Sequence, residues 1–299
     1  MDNKTYRNQV ALLLMVLPEI ARENCFALHG GTAINLFVRN MPRLSVDIDL
    51  TYIHIEDRET SLRHINDALA RIRDSTLKVM PQASIDLLEA PSKLAISSQT
   101  AQIKLEVNQT GRGILGAPNE MTLCKNAQDE FDAFCAMPVV PIGQLFGGKI
   151  CAALDRQHPR DLFDVKYLLM NESINDEIKT GTLLSLLGSS RPTNELIRPN
   201  LLDQRKAMDN QFTGMAIEPF TYDDFEETRK RLIEALHGSL TDQDRTFLVG
   251  FNNLEPDWSI YNFQEFPSIQ WKLLNLQNLK SNNPEKHKKQ IEDLIQRLG

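Results

Sequence analysis

The sequence predicts an α+β fold in which a strand-bearing domain comes first and a helical domain follows. Two observations carry that prediction. Apolar residues alternate between a period of 2 and a period near 3.6 through roughly the first 170 residues, whereas beyond about residue 175 the spacing is helical. The Gly-, Ser- and Pro-bearing stretch "LLGSSRPTNELIRP" is the strongest break in the chain. The expected division is therefore residues 1–175 and 176–299.

Taken in order, residues 5–22 place Val10, Leu13, Leu14 and Leu17 at helical spacing and predict an opening helix. Residues 24–29 read as a short strand running into Gly30 and Gly31. Residues 32–39 return to helical spacing with Ile34, Leu36 and Phe37, and Pro42 ends that element. Residues 46–53 alternate, with Val46, Ile48 and Leu50 on one face and Asp47 and Asp49 on the other. An amphipathic helix over 60–74 precedes three strands over 84–89, 93–98 and 102–108, and a glycine-bearing loop over 111–116. Residues 139–169 read as two helices broken at "QHPRD", where Pro159 suits a first helical turn. The tail "SNNPEKHKKQIEDLIQRLG" reads as a polar turn and a charged helix.

Hydrophobic residues at 41% and charged residues at 24% describe an ordinary globular chain. No apolar run reaches the roughly 20 residues that span a bilayer, so no membrane association is expected. "VALLLMVLPEIA" lacks the basic region and cleavage site of a signal peptide. Cys25, Cys124, Cys135 and Cys151 show no metal-type spacing, and the expectation is reduced thiols in a cytoplasmic protein. A net charge of −7 excludes a sequence-blind nucleic-acid binder with a general basic excess, but leaves room for a local basic cluster.

The informative pair is Asp47 and Asp49. Two residues apart on a strand, they point the same way and repel unless a cation stands between them. A hard divalent ion takes carboxylate, phosphate and water oxygens together, so half of a metal–phosphate site fits this spacing. A sheet with one wet face accounts for the alternation as well. In "QIKLEVN", Glu106 lies opposite Ile103, Leu105 and Val107 and brings a third acid to the same face if the two strands are neighbours. Three acids on neighbouring strands suit two-metal phosphoryl or nucleotidyl transfer. Gly30 and Gly31 lack Cβ atoms and let backbone N–H groups approach phosphate oxygens at a helix start, where Thr32 adds a hydroxyl.

Together these residues resemble the polymerase-beta-type nucleotidyltransferase superfamily: a glycine pair at a helix start, a strand with Asp-x-Asp, and a later acid. More narrowly, "GGTAINLF…R.S.DIDL" and "GGKICAALDRQHPRDLFDVKYLL" resemble the AbiEii/AbiGii toxin family, which includes the MenT toxins. The resemblance covers residues 25–170, and Asp47 follows Gly31 by 16 residues, a longer gap than is usual in the superfamily. It implies a polymerase-beta-like domain with a mixed sheet, metal ligands Asp47, Asp49 and Glu106, and a motif lysine at Lys149. It also implies Mg²⁺, an NTP substrate and an RNA acceptor, the tRNA 3′ end. An AbiEi-type antitoxin and an abortive-infection role in phage defence complete the expectation.

In the second block a helix places Lys149 and Arg156 on one face with small alanines between them, so that Lys149 can reach a phosphate. Arg160, Asp161 and Asp164 come next; Asp161 or Asp164 orients Lys149 or Arg160, or Arg156, Arg160, Asp161 and Asp164 form a salt-bridge cluster pinning two helices. Ser45 reads as a phosphate ligand or a turn cap, and Arg43 as a partner of the acids. The basic runs at 229–231 and 286–289 are the places for RNA phosphate contacts. Two other readings stay open: transfer to a small molecule, as in antibiotic-modifying enzymes, and a non-catalytic binding protein.

Overall fold

The computed structural model describes residues 3–299. The chain forms two compact units, Met1–Pro141 with Lys206–Phe220, and Ile142–Arg205 with Thr221–Gly299. The division thus falls at Pro141 and not at the expected residue 175. The first unit also recruits residues distant in the chain. Leu44 N–H donates to the Met215 carbonyl at 2.8 Å and Ile217 N–H to the Pro42 carbonyl at 3.0 Å, which returns a late segment to the first unit.

The first unit begins with α1 (Asn3–Ile20) and β1 (Phe26–His29), followed by α2 (Gly30–Ala33), which runs into a π-helical turn at Ile34–Val38. Next come β2 (Asp47–Tyr52), α3 (Arg58–Val79), and the strands β3 (Ser84–Leu88), β4 (Lys93–Ser97) and β5 (Gln102–Val107). β6 (Asn119–Thr122), α4 (Lys125–Phe131) and β7 (Ala136–Val139) complete it. One mixed sheet has the order β3-β4-β5-β2-β1-β7-β6. β3, β4 and β5 form an antiparallel meander, β5 runs parallel to β2, and β1 is antiparallel to β2 and parallel to β7.

Alternation makes the sheet two-faced. Ile48, Leu50, Leu94, Ile96, Ile103, Leu105 and Val107 are all buried and share one face, against which α1 and α3 pack. α3 starts at Asp57, whose side chain accepts from Thr60 N–H at 2.9 Å, and it buries Ile65, Leu69 and Ile72. The opposite face carries the charged residues. The predicted strands and the helices flanking them are present. The β6–α4–β7 excursion was not foreseen, because "NEMT" is almost wholly exposed and "AMPV" is four residues long with a proline, so neither shows a period.

The second unit is helical: α5 (Ile142–Asp155), α6 (Pro159–Asn171), α7 (Asp176–Gly188) and α8 (Thr193–Ile197), then α10 (Tyr222–Ser239), α11 (Asp242–Asn252), α12 (Pro267–Asn282) and α13 (Pro284–Leu298). α9 (Arg205–Gln211) lies between α8 and α10 in the chain. Thr221 with Asp224, and Thr241 with Asp244, form reciprocal capping boxes. α5 and α7 touch backbone to backbone: a Cβ added to Gly147 would stand 2.2 Å from the Gly181 carbonyl carbon. Arg229, in a basic run expected to contact RNA phosphates, is instead buried; it donates to Gln157 Oε1 and the Leu202 carbonyl and lies over the Phe225 ring. Among the described residues no helix is long and apolar enough to cross a membrane.

The α5–α7 crossing yields a direct test. Gly147→Ala lowers the unfolding free energy by about 1–3 kcal/mol, because neither backbone can yield without moving a helix. Gly238→Ala, on α10 with nothing within 4 Å of the added methyl, leaves stability unchanged or raises it by up to about 1 kcal/mol. Urea unfolding of the full chain reads both.

Candidate active site

β2 places Asp47 and Asp49 on the charged face of the sheet, each half-buried, while Ile48 and Leu50 anchor the strand from behind. Parallel pairing sets Asp49 opposite Glu106 and Asp47 opposite Lys104 on β5. Antiparallel pairing sets His29 opposite Asp49 on one side and Lys93 opposite Glu106 on the other. A single row across four strands therefore reads His29, Asp49, Glu106, Lys93. The third acid predicted from the sequence stands beside the first two. Its carboxylate is held by the Lys93 ammonium on β4.

The glycine pair serves this row in a way the sequence did not reveal. Gly30 adopts φ +72°, and a Cβ there would fall 2.3 Å from Asp49 Oδ2. A Cβ on Gly31 would fall 2.7 Å from Arg43 Nη2 and 3.0 Å from Ser45 Oγ. The turn is thus closely approached by one carboxylate and one guanidinium. Arg43 is buried and donates through Nη1 to the Leu44 carbonyl at 2.9 Å.

The Thr32 hydroxyl, expected at a phosphate, is fully buried and donates to the Asp47 carbonyl at 2.6 Å, with Ser45 Oγ at 3.1 Å. These contacts fix the backbone of the acid strand. Asn35 Nδ2 donates to the Gly31 carbonyl at 2.9 Å and secures the other side of the turn. His29 Nδ1 lies 3.2 Å from Thr51 Oγ1.

Hard carboxylate oxygens are the donors that Mg²⁺ prefers, and Asp47 and Asp49 supply them from one face. The two aspartates fit such an ion. Among the described residues, however, no group of three or more His, Cys, Asp or Glu is assembled to hold a metal, and Glu106 is engaged by lysine.

The second sequence block lies in the helical unit and forms a cluster of its own. Lys149 Nζ on α5 reaches Asp161 Oδ1 at 2.8 Å and Asp164 Oδ2 at 3.0 Å, both on α6, and all three side chains are buried. Arg156 adds a bidentate pair to Asp161 at 2.6 and 3.0 Å. Burial alone would raise the Asp161 carboxyl; the Lys149 and Arg156 charges outweigh it and hold the group well below the usual carboxylate range. Two cations thus meet two anions in the cluster. His158 caps α6, its Nδ1 accepting from Arg160 N–H at 3.1 Å, and half-buried Arg160 follows Pro159 in the first turn.

Sequence reasoning offered Asp161 or Asp164 as the partner of Lys149 or Arg160, and the structure sets both aspartates on Lys149. Sequence reasoning missed Lys93. The signal was present in "KLAIS", where Lys93, Ala95 and Ser97 alternate with Leu94 and Ile96, but only the β4–β5 register sets Lys93 beside Glu106.

This geometry has counterparts among known proteins. The family model described as nucleotidyl transferase AbiEii toxin, type IV toxin–antitoxin system, matches residues 11–275 and so includes most of the helical unit. Among solved structures, MenT4, a nucleotidyltransferase toxin from Mycobacterium tuberculosis H37Rv, is similar with a TM-score of 0.63 and 13% identity over 92% of this chain and 95% of that one. At that identity the likeness establishes the fold. No curated protein matches the chain in sequence.

The buried cluster predicts a pH signature. Lys149→Ala leaves Asp161 and Asp164 short of a cation in a buried setting and lowers the unfolding free energy at pH 7 by about 3 kcal/mol or more. The intact protein has Asp161 depressed, so its contribution is full above the ordinary carboxylate pKa and fades as pH falls below it. In the variant, protonation relieves repulsion instead, so the gap between the two proteins narrows as pH falls below about 4. Denaturant melts from pH 7 to pH 3 check this; a constant gap is the contrary result.

Proposed function

The chain belongs to the AbiEii family of nucleotidyltransferase toxins of type IV toxin–antitoxin systems, and on that footing we propose that it transfers a nucleoside monophosphate from an NTP to RNA, at the 3′ end of tRNA. The observation that carries this reading is the carboxylate row, with Asp47 and Asp49 on one face of β2 and Glu106 in register beside Asp49.

In this reaction an acceptor hydroxyl oxygen bonds to the α-phosphorus. The bond from that phosphorus to the bridging oxygen breaks, and pyrophosphate leaves. Asp47 and Asp49 would hold Mg²⁺, which when bound supplies Lewis acidity at the phosphate oxygens. Glu106 takes the hydroxyl proton. The backbone of Gly30 and Gly31 faces the triphosphate, while Thr32, Ser45 and Arg43 keep the acid strand rigid behind it. Lys149, Asp161 and Asp164 act as positioning residues that lock α5 to α6.

A family of two-gene systems supplies the remaining elements of the reading: a cognate AbiEi-type antitoxin, action in the cytoplasm where NTPs and tRNA are found, and phage defence through arrested growth. The net charge of −7 limits RNA binding to local basic groups, so contact with the acceptor depends strongly on salt.

The purified protein, incubated with total RNA, Mg²⁺ and each labelled NTP in turn, labels tRNA. Asp49→Ala lowers transfer by about a hundredfold or more, and chelation of divalent ions abolishes it. Equal transfer by the variant, or label confined to small molecules, sinks the RNA reading. Induction of the wild-type gene halts growth, and induction of the Asp49→Ala gene does not.

A further inference from the structure

Resting on the reading that β2 holds a divalent ion, we propose that Lys93 is a built-in counter-cation that competes with that ion for Glu106. The argument begins with register. β5 lies between β2 and β4, and Glu106 is the one residue of β5 with an acid, Asp49, as its partner on one side and a lysine, Lys93, on the other. All three side chains project to the same face, because directly paired positions on adjacent strands share a face. The Lys93 side chain is 18% exposed and that of Glu106 is 51% exposed, so the lysine is the more sheltered member of the pair.

Charge explains why a lysine stands there. Without it, three carboxylates would face one another across two strands with Lys104 as the other in-register cation. Lys93 takes up the third negative charge and leaves Asp47 and Asp49 as the two-oxygen donor pair. No covalent chemistry is involved; a dipositive ion drawing Glu106 toward the aspartates must displace a single positive charge from it. Lys93 thereby weakens binding of the ion in the resting protein and couples loading of the site to release of Glu106. It is a positioning residue, acting through Glu106.

Mn²⁺ serves as the probe, titrated into the full chain and followed by the loss of free-ion electron paramagnetic resonance, a readout independent of transfer activity. Lys93→Met, which keeps the apolar stem, tightens Mn²⁺ binding by about threefold or more. Lys93→Arg, which keeps the charge, stays near wild type. Glu106→Gln weakens binding, and in that background Lys93→Met has less than half its former effect. The proposal falls if Lys93→Met binds Mn²⁺ equally or more weakly, or if its gain persists undiminished beside Glu106→Gln. Wild-type binding that Asp49→Ala removes but Lys93→Met leaves unchanged overturns the counter-cation alone and leaves the enzymatic reading standing. Absence of binding at millimolar Mn²⁺ in wild type and Lys93→Met alike overturns both.

Discussion

Repulsion among Asp47, Asp49 and Glu106, three like charges on one face of a sheet, is the constraint on which the rest of the first unit depends. The sheet has no freedom to turn these groups away. Ile48, Leu50, Leu105 and Val107 are committed to the buried face, and a one-residue slip would exchange the two faces entirely. The acids are fixed by the hydrophobic effect acting on their neighbours, and their electrostatics must be met where they stand. Lys104 opposite Asp47, Lys93 on Glu106 and the open backbone at Gly30 beside Asp49 are the local responses.

The helical unit resolves a comparable problem differently. Asp161 and Asp164 are withdrawn from water, but Lys149 is buried with them and Arg156 reaches in from the surface, so the charges balance at the cluster and the group serves to join α5 to α6. Such a cluster is costly to break, whatever its net worth against an apolar core. The contrast is instructive because the two sets of acids look alike in sequence. One set is compensated by a buried lysine and an exposed arginine, whereas the acids of the other stand on the charged face of the sheet, Asp47 and Asp49 half-buried and Glu106 exposed beside Lys93.

The period of β2, β3, β4 and β5 was legible because it is a local property. So were the face occupied by each acid, the turn at Gly30 and Gly31, and an ion pair across the short connection between α5 and α6, though not which acid would meet which cation. Register was not legible. Lys93 and Glu106 are joined by a hairpin whose loop shows no strong turn signature, and nothing in "KLAIS" alone fixes which residue meets Glu106. The return of Lys206–Phe220 to the first unit was equally hidden, since it rests on backbone hydrogen bonds near Met215 that any sequence can make. Arg229 shows the opposite failure: a basic run suggested contacts with RNA phosphates, yet one member turns inward to donate to Gln157 and the Leu202 carbonyl.

The glycine pair shows why a motif can be read correctly for an incomplete reason. Backbone exposed to phosphate explains the absence of side chains at Gly30 and Gly31 but not the identity of the residues from Thr32 to Asp49. A positive φ at Gly30 together with a carboxylate oxygen at the place of its Cβ ties the turn to Asp49 in particular. Alanine there would meet backbone strain and collision at once. The same logic holds at Gly31, where Arg43 and Ser45 fill the space and, through Thr32, secure the Asp47 backbone. The spacing "GGT…R.S.D.D" is therefore a single packed unit, in which the residues flanking the acids are selected to hold two repelling carboxylates in a fixed orientation. Preorganisation of that kind is what a charge-stabilising transfer site requires, since the electrostatic work is done when the chain folds and need not be repeated at each turnover.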